Sequence, residues 1–504
     1  MGSNLKPDPV MKRNLAFSIF AVLFLTSLIP SVFSQSYGDR YGDLDYRKWR
    51  LTLINPIGTN GVASPRYTAK YSINLIGGYH GGLNGLEIGT LYNYNKEYSS
   101  GFQIAGLVNA TGGYAEGVGI AGLINYAAED LSGIQVAGVG NFSRNDIEGL
   151  QAAGVLNYAQ GDLSGLQGAV GGNIARGNVE GAQISGLFNL SEQNMSGLQI
   201  TGGGNVGLEN MEGLMISGLF NAARGDASGL FITGGANIAT DDMEGLMISS
   251  LFNVSSEYSS GLMITGGLNY SRYQEGLMIS AGANITQEME GMQFGGILNY
   301  ATTATGVQVG VINIAKEFEG ASIGFLSLYG NGRKNFDVRY SDAGFTDIGI
   351  TTGTHRVYNM AILGYNTSLD RNVYRFGIGV GLEKNINDSF RKIESDQLFV
   401  NQEFTVLHHF EENWSKQTNL IFAYKYMIGN RFNSGLSIYG GPSYNIQVSR
   451  VNTANDYTWY SLWSPEWNGR QYRMWVGFTF GIRFFKQKNL PLIDDYIFEF
   501  ERDW

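Results

Sequence analysis

One sixteen-residue sentence, written again and again between Gly85 and Glu319, limits the folds open to this chain more than any other feature. Glycine opens the copies at sixteen-residue steps from Gly85 through Gly101 and Gly117 to Gly261, then at fifteen-residue steps at Gly276, Gly291 and Gly306. Asparagine stands eight places after all but the last of these glycines, at Asn93, Asn109, Asn125, Asn141, Asn157, Asn173, Asn189, Asn205, Asn221, Asn237, Asn253, Asn269, Asn284 and Asn299; in the last copy it comes one place early, at Asn313. A fixed period held this long marks an array, whose units bury their apolar faces only against one another. Function is therefore sought in the assembled surface, not in one copy.

Within a copy such as Gly213 to Ala222, Leu214, Ile216 and Phe220 share one parity and Met215, Ser217, Leu219 and Asn221 the other. Period-two alternation predicts a strand of about nine residues per copy. Where the period shortens, the Gly-to-Asn segment keeps its length, so the missing residue comes from the turn. Copies also alternate in pairs: Phe188, Phe220 and Phe252 precede the asparagine where the intervening copies carry Gly204 and Ala236. Up and down strands of a meander would produce this, and so would large and small residues nested on successive coils of a solenoid.

The chain has 504 residues with 71 glycines, 8 prolines and no cysteine, and none of the prolines falls between Arg66 and Gly441. A proline-free stretch suits continuous hydrogen-bonded strands. The missing cysteines remove disulfides, thiolate nucleophiles and cysteine-ligated metals. The formal charge is −10, and the leader (Lys6, Lys12 and Arg13 against Asp8) carries +2 of it, leaving −12 after removal. Such a balance disfavours nucleic acid as a partner, since phosphate neutralisation needs concentrated Lys and Arg.

Met11-Lys12-Arg13, the apolar run Leu15 to Leu28 and Val32-Phe33-Ser34 form a bacterial-looking signal peptide, cleaved after Ser34. Residues 1–34 are thus expected to be leader and signal peptide, 35–84 lead-in strands with a hairpin across Gly58 to Gly61, 85–319 the array, 320–486 barrel strands and 487–504 a tail. Beyond the array the segments are longer and more aromatic: 336–340, 357–365, 374–382, 398–408, 418–428, 436–448 and 473–485. In the last, Met474, Val476, Phe478, Phe480, Ile482 and Phe484 oppose Trp475, Gly477, Thr479, Gly481 and Arg483. An apolar face about ten residues long opposite a small or charged one is what a transmembrane β-strand needs.

The fold expected is therefore all-β: a large transmembrane antiparallel barrel with the repeats as strands, on the order of 24–26 of them. On that reading Leu91, Leu107, Leu123, Leu187, Leu219 and Leu251 face inward and make the lumen half apolar. The alternative is a repeat β-solenoid attached to a smaller C-terminal barrel.

Ser72-Ile73-Asn74-Leu75-Ile76-Gly77-Gly78, the Gly-apolar-Gln-Ile-Ala-Gly-Leu-x-Asn copies, the closing Gly306-Val307-Gln308-Val309-Gly310-Val311-Ile312-Asn313-Ile314 and the Ser322-Ile323-Gly324-Phe325 that follows resemble a family of bacterial glycine-rich surface-repeat outer-membrane proteins, over roughly Arg50 to Lys486. The resemblance implies export and an outer-membrane address, and no activity.

The repeat asparagines are expected to hydrogen-bond backbone or form a ladder; a ligand-binding row and glycosylation at Asn109, Asn141, Asn189, Asn253 and Asn284 are the sharper readings. Four histidines, His80, His355, His408 and His409, are expected at the surface, with His408 and His409 on opposite strand faces and so unable to share a metal. The acidic turns Asp241-Asp242-Met243-Glu244 and Glu288-Met289-Glu290 read as solvated, without calcium-loop spacing. The loop from Tyr457 to Trp467 offers Trp459, Tyr460, Trp463 and Trp467 as an interfacial girdle or as an external loop for a surface glycan or protein partner. No cofactor or metal is implied. The leading expectation is a non-enzymatic outer-membrane barrel, in contact with outer-membrane lipid, acting as pore, scaffold or interaction surface. The alternative is a solenoid adhesin or binding module tethered by a small barrel. Third comes an embedded lipid-modifying enzyme using Ser437 or Ser443 with His408.

Overall fold

The structure is a computed structural model that describes residues 44–386, 398–412, 417–432, 435–451 and 456–485. The expected signal peptide and tail lie outside the described residues. The chain divides into two units, residues 1–209 and 210–504.

In the first unit each copy is two strands meeting at a corner. Seven-residue strands such as Ile147–Ala153 and Leu163–Ala169 alternate with four-residue strands such as Leu156–Ala159 and Gly172–Ala175. Each pairs in parallel with the same positions one coil away, so that Gly149 lies beside Gly133 and Gly165, and Asn157 beside Asn141 and Asn173. This is a β-solenoid. The large antiparallel barrel built from repeat strands is overturned for the array, and the solenoid alternative describes it.

The opening glycine of the copies and the corner glycine of most of them are set by contact between coils, Val170 and Ser250 for instance taking the corner place in their own copies. Gly149 has φ +135°, and a Cβ on it would lie 2.1 Å from the carbonyl oxygen of Gly133. At the corner, a Cβ on Gly154 would lie 2.1 Å from the oxygen of Gly138. The corner backbone is itself bonded to the preceding coil, Gly154 N to Ala137 O at 3.1 Å and Val155 N to Val139 O at 2.9 Å. The corner also moves the leucines expected inside: Leu187 is 66% exposed, and Leu91, Leu107 and Leu123 are exposed too. Pairing of copies is nesting: a Cβ on Gly172 would fall 2.5 Å from Phe188 Cζ on the next coil.

The lead-in is not the expected hairpin. Asp45–Ile54 runs parallel to the first part of Tyr67–Gly89, with only Ile57–Gly58 folding back antiparallel on it, and so adds a further rung to the first coil.

In the second unit coils of the same kind continue from Met211–Ser217 and Phe220–Ala223. Where the period falls to fifteen, loss of the turn residue fuses successive segments into the long strands Leu268–Ser280 and Ala283–Ile323. Eight antiparallel strands follow, Arg333–Ser341, Phe345–Gly353, Val357–Asn366, Val373–Asn385, Leu398–Glu411, Asn419–Phe432, Leu436–Ser449 and Arg470–Phe485. The first closes on the last, Phe336 opposite Phe484, to make a closed barrel. Seven of these strands fall on segments expected from the sequence; Phe345–Gly353 does not. The last coil is seated on the barrel rim: Ser327 N donates to Thr352 Oγ1 at 3.1 Å and Gly324 N to Asn359 Oδ1 at 3.0 Å.

Candidate functional site

Inside the coils the repeat asparagines form a continuous ladder in each unit. Asn157 is fully buried; its amide donates to Asn173 Oδ1 at 2.9 Å and to Gly168 O at 2.8 Å, while its own oxygen accepts from Asn141 at 2.9 Å. The same pattern runs from Asn74 through Asn93, Asn109 and Asn125 in the first unit, and in the second from Asn221 through Asn237 and Asn253 to Asn299 and Asn313. Side chains buried this way are closed to ligand and to glycosylation. A second ladder of glutamines points the other way, Gln151 donating back to Gln135 and Gln167 back to Gln151. In the second unit the asparagine ladder ends on Ser327, whose hydroxyl also accepts from Asn359 of the barrel at 2.8 Å.

At the start of the first unit the asparagine ladder and Gln103, which Gly119 separates from the glutamine ladder at Gln135, converge on one fully buried carboxylate. Glu87 stands where later copies carry Gln103 and Gln135, which is the signal in the sequence that sets it apart. Its Oε1 accepts from Arg50 Nη2 at 3.1 Å, Ser72 at 2.9 Å and Asn74 at 3.0 Å, and its Oε2 from Asn95 at 2.7 Å and Gln103 at 3.1 Å. Burial pushes the Glu87 carboxyl up, but Arg50 and the amide donors outweigh it and hold it below the usual range. His80, expected at the surface, is fully buried beside it. Its Nε2 faces Asn74 Oδ1 at 2.9 Å, and because the Asn74 amide is spent on Glu87 and Asn93, that nitrogen donates; Nδ1 accepts from Ser64 at 2.6 Å. Burial lowers the imidazole pKa to about 4 against the attraction of Glu87.

Eight strands leave a lumen only wide enough for side chains to fill. Inward parity supplies charge: Arg339 bonds Glu403 at 2.7 Å, Arg483 bonds Asp337 at 2.9 Å and Glu383 at 2.7 Å, and Arg333 bonds Glu383 at 2.8 Å. Tyr358 and Tyr439 donate to Glu403 and Asp337. Toward the other end Phe345, Leu407, Trp475 and Tyr457 close the interior with apolar bulk. Outward parity is aliphatic and aromatic, with Ile350, Leu363, Phe404, Phe478 and Phe480 about half exposed.

His408 and His409 point to opposite faces, as the strand period requires, but His409 is buried against Phe345 and Tyr457. Ser437 and Ser443 are buried on the inward face while His408 stacks outside on Phe410, so the chain does not assemble that pair. In the acidic turns Met243 and Met289 are core residues, and among the described residues no three His, Cys, Asp or Glu side chains converge as a metal-binding group. Trp459 is 90% and Trp467 73% exposed; Trp463 and Tyr460 are exposed beside them, at the barrel end opposite the coils. Comparison with family models, with curated proteins and with solved structures returns no match.

Proposed function

We propose that the protein is a non-catalytic component of the bacterial outer membrane, in which the small barrel is an anchor and the β-solenoid is the working part, a scaffold or binding module. The observation that carries this is the polarity of the barrel wall. Its outer side chains are apolar and its inner ones ion-paired, which is the arrangement a strand needs between lipid and a lumen. Because that lumen is filled by paired arginines and carboxylates at one end and by Phe345, Leu407 and Trp475 at the other, the anchor reading is favoured over the pore.

The two barrel ends differ. Both chain ends of the barrel and the turn at 354–356 lie on the coil side, and the strand ends Ser449 and Arg470, with the exposed tryptophans between them, lie on the other. Long loops face the outside in barrels of this kind, and the connection between Ser449 and Arg470 is the longest of this barrel, although the coil side carries the long connection between Asn385 and Leu398. The greater length of the Ser449 to Arg470 connection favours the outer side for the exposed tryptophans, as interfacial anchors or as a loop for a glycan or protein partner.

Recovery in the outer-membrane fraction with heat-modifiable migration in detergent tests the anchor; a soluble periplasmic species would defeat it. In planar bilayers the purified chain should give no discrete conductance steps, and steady channel openings would restore the pore.

A further inference from the structure

Ordinary solenoids put apolar side chains inside and polar ones out; here each coil buries asparagine, serine or glutamine beside one or two apolar side chains such as Met195, Met243 and Met247, and carries apolar side chains on its outside as well. In the coil that starts at Gly181 the interior holds Gln183, Ser185, Asn189 and Ser191, all buried, whereas Ile184, Leu187 and Phe188 are 40%, 66% and 38% exposed. In the second unit Ser249, Asn253 and Ser255 are inside, and Leu251 and Phe252 are 52% and 44% exposed. The outward apolar positions occupy both faces of the coil and the corner between them. Charge is confined to the opposite edge, where Asp146, Glu148, Asp162 and Glu180 are exposed at the turns.

From this geometry we infer that the coils of each unit form a blade inserted among lipid acyl chains, with the aliphatic corner deepest and the acidic turns at the headgroups. The inference rests on the membrane reading above and names the partner of the array. A typical monomer exposes no apolar patch beyond roughly 300–600 Å2, and a stable dimer covers about 800 Å2 on each partner. A second copy would cover one face and leave the other face and the corner bare. Acyl chains cover all three together.

Hydrocarbon also demands that every backbone group be satisfied within the protein. Parallel pairing does this along the faces, and at the corner Leu187 N reaches Gly171 O at 2.9 Å and Gly204 N reaches Leu187 O at 3.1 Å. A seven-residue strand spans roughly 23 Å, enough to carry the corner through one leaflet of about 15 Å.

A chain without cysteine allows single labels at chosen points. Leu187→Cys and Leu219→Cys at the corner, Gln193→Cys at the turn edge and Phe478→Cys on the barrel wall would each carry a fluorophore, in full-length protein reconstituted with brominated phosphatidylcholine. All four positions are exposed, and retained heat-modifiable migration checks the fold of each. The expected result is emission lowered at least about twofold at 187, 219 and 478, with Gln193→Cys unchanged. Quenching at 478 without quenching at 187 and 219 overturns the blade and leaves the anchor standing. Quenching at 187 and 219 but not at 478 supports the blade and removes the barrel anchor. Disulfide formation between copies through Leu187→Cys, without quenching, would assign that face to a second copy and overturn the lipid.

Discussion

Glu87→Gln is the substitution that probes the start of the array most sharply. The neutral amide leaves the Arg50 guanidinium, 2% exposed, without its counter-charge. It also turns an NH2 toward donors, since both carboxylate oxygens already accept, from Arg50, Ser72 and Asn74 on one side and from Asn95 and Gln103 on the other. Removing one partner of a buried ion pair costs about 3–5 kcal/mol. In an array each repeat answers mainly to its neighbours, so the loss should be local. Hydrogen exchange of the amides in Tyr92–Ala105 should accelerate by about two to three and a half orders of magnitude, at 1.4 kcal/mol per tenfold. The barrel strand Arg470–Phe485 should keep its protection. Acceleration below about tenfold at Tyr92–Ala105, or an equal change in the barrel, would refute the view that this carboxylate holds the first coils together.

The same region should be acid-sensitive. His80 is neutral in the fold with a pKa lowered to about 4 from 6.5, so between those values the unfolded segment binds the extra proton and stability is lost as pH falls. A drop of roughly 3 kcal/mol for the first coils between pH 6.5 and pH 4 is expected by hydrogen exchange, against a flat profile above pH 7; no slope in that window would remove His80 as its source. Deletion of residues 165–196, a whole pair of coils, sets Leu156 beside Gly204 and should leave a folded protein with similar strand content by circular dichroism. Deletion of 165–180 alone sets Leu156 against Phe188 and should be less stable, so equal melting of the two would show that nesting is not the constraint.

The repeat, its strand parity and the wall of the last barrel strand were all legible from the residues. Ser217 inside and Ile216 outside follow from period-two alternation, and the structure places them so. What the parity could not decide is how the strands pair, because identical copies match in register whether the partner is a parallel coil or an antiparallel neighbour in a barrel. The corner was hidden because Gly154 looks like any other glycine of the array until the neighbouring carbonyl is in place. That carried Leu187 and Leu219, on the same parity as the asparagine, from an expected interior to the outermost edge. His80 was misread because it is enclosed by Ser64 of the 3-10 turn Gly61–Arg66 and by Asn74, partners that no local pattern announces.

The two amide ladders have a consequence for how such a chain can change length. Asparagine amides donate toward the C-terminal end of the coils and glutamine amides toward the N-terminal end, as at Asn157 and Gln167. Two columns of parallel peptide-like dipoles laid head to tail in opposite senses cancel, so a coil carrying both adds no charge separation along the axis. Where helices accumulate partial charge at their ends as they grow, the coils from Gln135 to Gln199 are electrically indifferent to copy number, whereas those with Met215, Phe231 or Met247 in that place carry the asparagine column alone. Coils of the first kind could be gained or lost in pairs by unequal recombination of the gene, leaving the Glu87 cluster and the Ser327 to Asn359 contact untouched.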